Sequence, residues 1–292
     1  MIDRSDLLIT PDELAAALRE QSVTGRSVRV LDVRWRLDRP DGRDDYLSGH
    51  IPGAVYVDLD HELAKAGAPT EGRHPLPPAE QLQADARGWG LDDGDQVVVY
   101  DDLSNLSAAR AWWLLRFAGV DDVRMLDGGL RAWREAGHPL DVGDVEHRRG
   151  SVTLDYGHLP TLSMEEAGAF PTRGVLLDAR AEERYRGDVE PVDPRAGHIT
   201  GALNSPTAEN VDADGRFLDR AVLRERFAGL GVDDGVAVAT YCGSGVTAAH
   251  NAAALMLAGF EPALYPGSWS QWSNHADRPV ATGAGAGILP GE

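Results

Sequence analysis

Short apolar runs alternate with longer stretches of helical periodicity along the chain. Runs such as 96–100 and 236–241 are apolar and partly β-branched, which is typical of buried strands. The amphipathic stretches between such runs are typical of helices, and capping-box sequences at 10–13 and 163–166 predict two helix starts. Strands and helices that alternate in this way predict a parallel sheet covered by helices on both faces.

The pattern occurs twice. Five motifs recur in the same order at a nearly constant offset, which indicates an internal duplication. They pair 30–34 with 176–180, 49–54 with 197–202, 96–101 with 236–242, 118–120 with 258–260 and 128–133 with 267–272. We therefore predict an α/β protein of two tandem domains, at 1–140 and 161–283, joined by an extended linker at 141–160 and followed by a flexible tail at 284–292.

Cys242 is the only cysteine, and it ends a predicted strand. The Gly-Ser-Gly sequence at 243–245 follows, and a helix is predicted from Thr247. Backbone N–H groups in such a turn, together with a helix N-terminus, favour an anion, and the thiolate is the nucleophilic form of cysteine. The alternative is a small buried hydrophobe, which explains the glycines less well. A cysteine phosphatase would need an arginine where this chain has Ala248.

The first copy differs at the corresponding position. Asp101 aligns with Cys242, and the Asp-Leu-Ser-Asn sequence that follows it lacks the two glycines. The first copy therefore has no nucleophile. We predict that the second domain is catalytic and that the first supports it.

The Cys-Gly-Ser-Gly-Val-Thr loop at 242–247 resembles the active loop of the two-domain rhodanese-like sulfurtransferases, specifically their 3-mercaptopyruvate branch. Thiosulfate-specific rhodaneses usually carry basic residues just after the cysteine. The resemblance covers nearly the whole chain and implies transfer of a sulfane sulfur from 3-mercaptopyruvate through a Cys242 persulfide. The acceptor would be a thiol such as thioredoxin, or cyanide in an assay, with no cofactor or metal. The persulfide would be held by amides of the loop, including those of Gly243, Gly245, Val246 and Thr247.

The resemblance also implies a relay that polarises the donor molecule. Ser244 would be oriented by His74, whose other ring nitrogen is held by Asp60, and the relay would steer a proton to the leaving enolate. Asp58 and His61 are close enough in sequence to compete with Asp60. The alternative for His74 is a solvent-facing loop histidine beside prolines.

Two arginines are implied for the donor's carboxylate. Arg184 matches the first of them, and Arg195, which follows a Glu-Pro pair at slightly different spacing, is the match for the second. Arginine suits this role because its planar fork pairs with both oxygens of a carboxylate. The alternative for each arginine is a salt bridge to Glu182, Glu183 or Glu190.

Composition limits the alternatives further. The chain of 292 residues has 42% hydrophobic and 26% charged residues, as expected for a soluble globular protein, and its net charge of −19 argues against nucleic-acid or anionic-membrane partners. No apolar run approaches the roughly 20 residues of a membrane span, and no secretory signal is visible. A single cysteine excludes an internal disulfide and suits the cytoplasm. Two other functions stay open: a thiosulfate:cyanide sulfurtransferase, and a non-enzymatic persulfide carrier or redox-sensing binding protein.

Overall fold

The computed structural model describes residues 3–24 and 27–287. In the first half of this range the strands are β1 (Leu8–Ile9), β2 (Val28–Asp32), β3 (Val55–Tyr56), β4 (Gln96–Tyr100) and β5 (Val123–Leu126). They pair in parallel in the order β1-β5-β4-β2-β3. The helices are α1 (Arg4–Leu7), α2 (Pro11–Thr24), α3 (Arg43–Ser48), α4 (Leu59–Glu62), α5 (Ala79–Gly88), α6 (Ala108–Phe117) and α7 (Gly129–Glu135), with a 3-10 turn at Pro69–Glu71.

The second half repeats this arrangement. Its strands are β6 (Gly174–Asp178), β7 (His198–Ile199), β8 (Leu203–Asn204), β9 (Ala237–Tyr241), β10 (Ala263–Leu264) and β11 (Val280–Ala281). A parallel sheet has the order β10-β9-β6-β8, and β11 pairs with β7 in an antiparallel ribbon. The helices are α8 (Met164–Ala169), α9 (Glu182–Arg186), α10 (Arg220–Ala228), α11 (Thr247–Ala258) and α12 (Ser268–Ser273), with 3-10 turns at Phe170–Thr172 and Thr207–Asn210.

Four of the five strands in the first sheet have counterparts in the second, where an isolated parallel bridge between Thr161 and Leu264 stands in the place of β1. The order β5-β4-β2-β3 in the first matches β10-β9-β6-β8 in the second, so the predicted α/β fold with two duplicated parallel sheets is confirmed. Both predicted capping boxes form: Thr10 exchanges hydrogen bonds with Glu13, and Ser163 with Glu166. Each satisfies backbone donors that the first turn of a helix leaves without partners.

A buried ion pair is repeated at the carboxyl ends of the equivalent strands β2 and β6. Arg34 pairs with Asp32 at 2.7 Å, and Arg180 pairs with Asp178 at 2.6 Å. The same two arginines donate to the carbonyls of Gly49 and Gly197. Because the copy without the cysteine keeps this arrangement, we assign it to the fold rather than to the chemistry. His50 and His198 also have equivalent roles, each placing Nδ1 against a tyrosine carbonyl.

Residues 141–160 contain neither helix nor strand and pack along the first domain. Gly150 and Val152 donate backbone hydrogen bonds to the carbonyls of Arg87 and Leu91. Val152 is buried. The segment predicted as a linker is thus held against the first domain by its backbone.

The predicted flexible tail lies only partly within the described residues, because 288–292 fall outside them. Within the described part, Ala286 accepts a hydrogen bond from the N–H of Gly201. The tail therefore contacts the second domain up to this point. No helix in 3–24 or 27–287 is long and apolar enough to cross a membrane.

The two domains share one apolar core. Helices α6 and α11 pack against each other, and their buried side chains belong to a single cluster that extends into both sheets. Helix α11 is rich in alanine, including Ala248, Ala249, Ala252 and Ala253, all buried in the shared cluster. Small side chains let the two helices approach closely, so the core holds the domains in a defined orientation. The groove between the domains is correspondingly fixed.

Candidate active site

Cys242 lies directly after β9, in the turn that leads into α11. Its side chain is buried, and its Sγ accepts a hydrogen bond of 3.1 Å from the N–H of Gly245. Gly245 has φ +80°, and a Cβ there would lie 2.4 Å from the carbonyl oxygen of Pro266. Only glycine combines that backbone conformation with this close approach. The turn therefore depends on Gly245 to present its N–H to the sulfur.

The start of α12 holds the backbone of the same turn. The carbonyls of Cys242 and Gly243 accept hydrogen bonds of 2.9 and 2.8 Å from the N–H groups of Trp269 and Ser270. The N–H of Cys242 donates to Oγ of Ser268 at 3.2 Å. These two carbonyl oxygens therefore point toward α12.

The corresponding turn of the first domain shows what such a loop binds. Both carboxylate oxygens of Asp101 accept hydrogen bonds of 2.7–2.9 Å from backbone N–H groups. The donors are the N–H groups of Leu103, Asn105, Ser107 and Ala108. In this copy the loop is an anion site that is filled by its own side chain. In the second copy a thiol occupies that position, as predicted from the alignment of Asp101 with Cys242.

A cavity of about 310 Å³ opens between the domains above the sulfur. The first domain contributes Trp35, Leu37, Arg73 and Leu106, and the second contributes Ala179, Arg180, Ala181, Arg184, Pro206, Thr207, Ala208, Cys242, Gly243, Ser244, Val246 and Thr247. Five of the six residues of the predicted loop at 242–247 therefore line this cavity, and Gly245 does not.

Ser244, His74 and Asp60 form a chain of hydrogen bonds across the domain interface. Nδ1 of His74 lies 2.7 Å from Oγ of Ser244, and Nε2 lies 2.9 Å from Oδ1 of Asp60. His61, which competed for this position in the sequence, is exposed and pairs with Asp58. The structure thus brings together the three side chains that the resemblance implied.

Burial and neighbouring groups set the protonation states of His74 and Asp60 in this hydrogen-bonded triad. Burial lowers the pKa of His74 below its usual value, and its contact with Asp60 only partly opposes this. Burial is the largest single influence on Asp60 and would raise its pKa, but the hydrogen bonds from His74 and Trp35 and the nearby charges of His74 and His61 together leave the carboxyl pKa below its usual value. At neutral pH a neutral imidazole therefore donates Nε2–H to the Asp60 carboxylate and accepts the Ser244 hydroxyl proton at Nδ1.

Two arginines approach the loop from opposite domains. A Cβ added at Gly243 would lie 3.4 Å from Nη2 of Arg73 and 3.5 Å from Nη1 of Arg184. Asp193 connects them, because its carboxylate accepts from Arg73 at 2.9 Å and from Arg184 at 3.3 Å. Glu190 accepts from Arg184 at 2.6 Å. Both guanidinium groups are thus oriented by carboxylates behind them.

The structure does not bring Arg195 to the cavity, which corrects the sequence prediction for this residue. Its guanidinium donates hydrogen bonds of 2.6–2.9 Å to the backbone carbonyls of Trp272, Ser273, His275 and Arg278. All of these carbonyls lie at the end of α12 or just after it. Arg195 therefore closes the carboxyl end of that helix, and its position in the cavity is taken by Arg73.

Arg73 was missed because it lies in the first domain, whereas the resemblance directed attention to the second. The available signal was its position directly before His74. The loop that contains Arg73 contacts α12, because the N–H of Arg73 donates a hydrogen bond of 3.0 Å to Oγ of Ser270. Trp35 was also missed: it lines the cavity and contacts His74 edge-on, with 5.3 Å between the ring centres.

Comparison with known proteins is consistent with this geometry. The Rhodanese-like domain family matches residues 10–136 and 163–275. A Mycobacterium tuberculosis protein named as a thiosulfate sulfurtransferase, SseB, is 48% identical over 286 residues, which cover 96% of this chain and 98% of the relative. A Pseudomonas aeruginosa protein named as a 3-mercaptopyruvate sulfurtransferase is 46% identical over 286 residues, covering 94% of this chain and 98% of the relative.

Solved structures show the same relationship. The crystal structure of SseA from Escherichia coli, described as a 3-mercaptopyruvate sulfotransferase, superposes with a TM-score of 0.79 at 32% sequence identity. The match covers 90% of this chain and 98% of that one. With two matched rhodanese domains, a cysteine in the turn after β9 of the second and relatives at 46–48% identity that are named as sulfurtransferases, the chain belongs to the two-domain rhodanese-like sulfurtransferases.

Proposed function

We propose that the sulfur donor is 3-mercaptopyruvate and that its sulfur passes through a persulfide on Cys242. The Ser244–His74–Asp60 chain is the observation that carries this proposal. Loss of sulfur from 3-mercaptopyruvate leaves an enolate, which must take up a proton at carbon. Thiosulfate leaves sulfite, which is stable as an anion and needs no proton. A proton relay beside the nucleophile therefore favours the donor that needs one.

The first half-reaction balances without an added proton. The Cys242 thiolate attacks the donor's sulfur, an S–S bond forms, and the C–S bond breaks with its electron pair passing to carbon. The thiol hydrogen of the donor moves through Ser244 and His74 to that carbon, which yields pyruvate and the persulfide anion. Neutral His74 suits this step because it is able to accept a proton and return it. Gly245 N–H, now 3.1 Å from Sγ, supports the anion.

Arg73 and Arg184 are the groups we assign to the donor's carboxylate. Both line the cavity and lie near Gly243. Their positive charges are largely matched by Asp193 and Glu190, so the site has little excess charge for a dianion. A single carboxylate, held by the remaining N–H groups of the two forks, fits this balance better than thiosulfate does.

In the second half-reaction a thiolate or cyanide attacks the outer sulfur of the persulfide. The S–S bond breaks and Cys242 returns as a thiolate. Because one covalent intermediate links two half-reactions, the kinetics are of the ping-pong type. We propose a thiol acceptor such as thioredoxin and a cytoplasmic setting, which suits a chain with one cysteine.

Thiosulfate is the second candidate donor. Three guanidinium groups, those of Arg73, Arg180 and Arg184, line the cavity. Arg180 is already engaged by Asp178 and Glu190, at 2.6 and 3.3 Å, so it offers little to a second anion. We therefore rank thiosulfate below 3-mercaptopyruvate.

Initial rates with each donor, measured with cyanide as acceptor, test the proposal directly. We expect kcat/KM for 3-mercaptopyruvate to exceed that for thiosulfate by about 100-fold or more, since only the former uses the relay. Equal values, or a preference for thiosulfate, would reject the donor assignment while leaving Cys242 as the nucleophile.

Substitution of single arginines tests whether Arg73 or Arg195 binds the donor's carboxylate together with Arg184. Arg73→Met and Arg184→Met are each expected to raise KM for 3-mercaptopyruvate about tenfold or more, because a charge-assisted hydrogen bond contributes about 1.5–3 kcal/mol. Arg195→Met is the control: it is expected to lower the unfolding temperature, since four carbonyls lose their donor, with little change in KM. Thermal unfolding of all three variants accompanies the kinetics.

A KM that rises with Arg195→Met and stays constant with Arg73→Met would restore the assignment made from sequence. A KM that is unchanged in all three variants would show that the donor's carboxylate does not bind to any of these arginines.

A further inference from the structure

Arg110 is a buried cation with no acidic partner among the described residues. It lies in α6 of the domain that lacks a nucleophile, and its side chain is fully buried. Every hydrogen bond it makes goes to a backbone carbonyl. Nε and Nη2 donate to Leu63 at 3.2 and 3.1 Å, Nη2 also to His74 at 3.0 Å, and Nη1 to Gly245 at 3.2 Å.

Such a group is costly unless an anion lies near it, because burial removes the hydration of a charge. Burial lowers the pKa of Arg110 to about 10, so the guanidinium is still protonated at neutral pH. Cys242, followed by Tyr156, supplies the nearby acidic groups that oppose this effect. Burial raises the pKa of Tyr156 to about 12, which leaves its phenol neutral at pH 7. The thiolate of Cys242 is therefore the anion available to Arg110.

Gly245 connects the two groups. Its carbonyl accepts from Arg110 at 3.2 Å, and its N–H donates to Sγ of Cys242 at 3.1 Å. Arg110 also binds the carbonyl of His74, whose ring contacts Ser244. The Arg110 side chain of the first domain is thus hydrogen-bonded both to Gly245 in the Cys242 turn and to the backbone of His74 in the relay.

The other charged groups around the sulfur are already matched. On the cavity side the cations are Arg73, Arg180 and Arg184, and the carboxylates paired with them are Asp178, Glu190 and Asp193. Within the relay, His74 faces Asp60. In the part of the chain that the structure describes, Arg110 is thus the cation near Cys242 whose charge no carboxylate offsets.

We propose that Arg110 is a positioning residue that acts as the buried counter-charge of the Cys242 thiolate and holds the turn and His74 in register across the domain interface. The proposal rests on Cys242 as the nucleophile of the proposed function. It explains why the second domain depends on the first: the corresponding position in α11 is His250, whose imidazole is neutral at pH 7 because burial lowers its pKa to about 3.

Alkylation of the donor-free protein by iodoacetamide tests the charge. Cys242 is the only cysteine in the chain, so the rate reports this thiol alone. For Arg110→Met we expect the pH profile of alkylation to change and the rate at pH 7 to fall about tenfold, because the buried positive charge no longer favours the thiolate. Arg110→Lys keeps the charge and is expected to keep the profile, whereas its kcat falls since lysine lacks the fork that binds three carbonyls.

Arg116→Met is the matched control. It removes one cation from the same helix, where Arg116 donates to the carbonyl of Asp6 instead of contacting the turn. Its alkylation profile is expected to equal that of the parent.

An unchanged alkylation profile in folded Arg110→Met would overturn the proposal and leave Arg110 a purely structural residue. If that variant does not fold, Arg110→Gln replaces it, because glutamine still donates to a carbonyl but has no charge. The result is independent of donor choice, since no donor is present. A thiosulfate preference would reject the proposed donor and leave the alkylation result standing.

Discussion

Cys242→Ser is expected to abolish sulfur transfer, with kcat lowered by more than about 10⁴-fold for either donor. A serine hydroxyl is not ionised at neutral pH and forms no persulfide. The turn should persist, because the serine oxygen is able to accept the Gly245 N–H in place of sulfur. Thiocyanate formation measures turnover, and intact-protein mass after incubation with donor alone measures loading: the parent gains one sulfur atom and the variant none.

Turnover of Cys242→Ser above about 1% of the parent rate would exclude a covalent route through this residue. Cys242→Ala serves as the control for any effect of the new hydroxyl. Circular dichroism of both variants establishes that the domain is folded.

His74→Ala should separate the two donors. We expect kcat with 3-mercaptopyruvate to fall by about 10²–10⁴-fold, the usual contribution of a positioned acid–base group, because the enolate loses its proton source. The rate with thiosulfate should change less than about threefold, since sulfite leaves without protonation. His61→Ala is the matched control: it removes a nearby histidine whose ring is exposed and bonded to Asp58, so both rates should stay constant.

Equal losses with both donors in His74→Ala would mean that His74 holds the turn rather than transfers a proton. The proposed role of Asp60 in the relay would then be rejected as well, because Asp60 contacts the relay through His74. Ser244→Ala, measured with the same two donors, distinguishes the hydroxyl from the imidazole.

Local sequence was sufficient for much of the fold. The duplicated motifs predicted two equivalent sheets because each strand and helix is specified by residues close together in the chain. The same holds for the turn at Cys242, where the two glycines and the following helix are contiguous. The absence of a nucleophile in the first copy followed from Asp101 alone, although its role as the occupant of an anion site did not.

The arginines illustrate where local sequence fails. Arg195 was assigned to the substrate by its spacing from a Glu-Pro pair, but spacing does not reveal that the turn after α12 presents four carbonyls to it. Arg73 and Arg110 both come from the first domain. Their proximity to Cys242 depends on how α6, α11 and α12 pack, which no short motif encodes.

The sequence by itself determined the two-domain α/β architecture, the position of the thiol at a strand end, and the residue types needed for a relay. Only the tertiary structure decided which charged groups face the sulfur. The physical reason is that electrostatic partners are selected by distance and burial, and here Asp60, Arg73 and Arg110 lie more than one hundred residues from Cys242 in the chain.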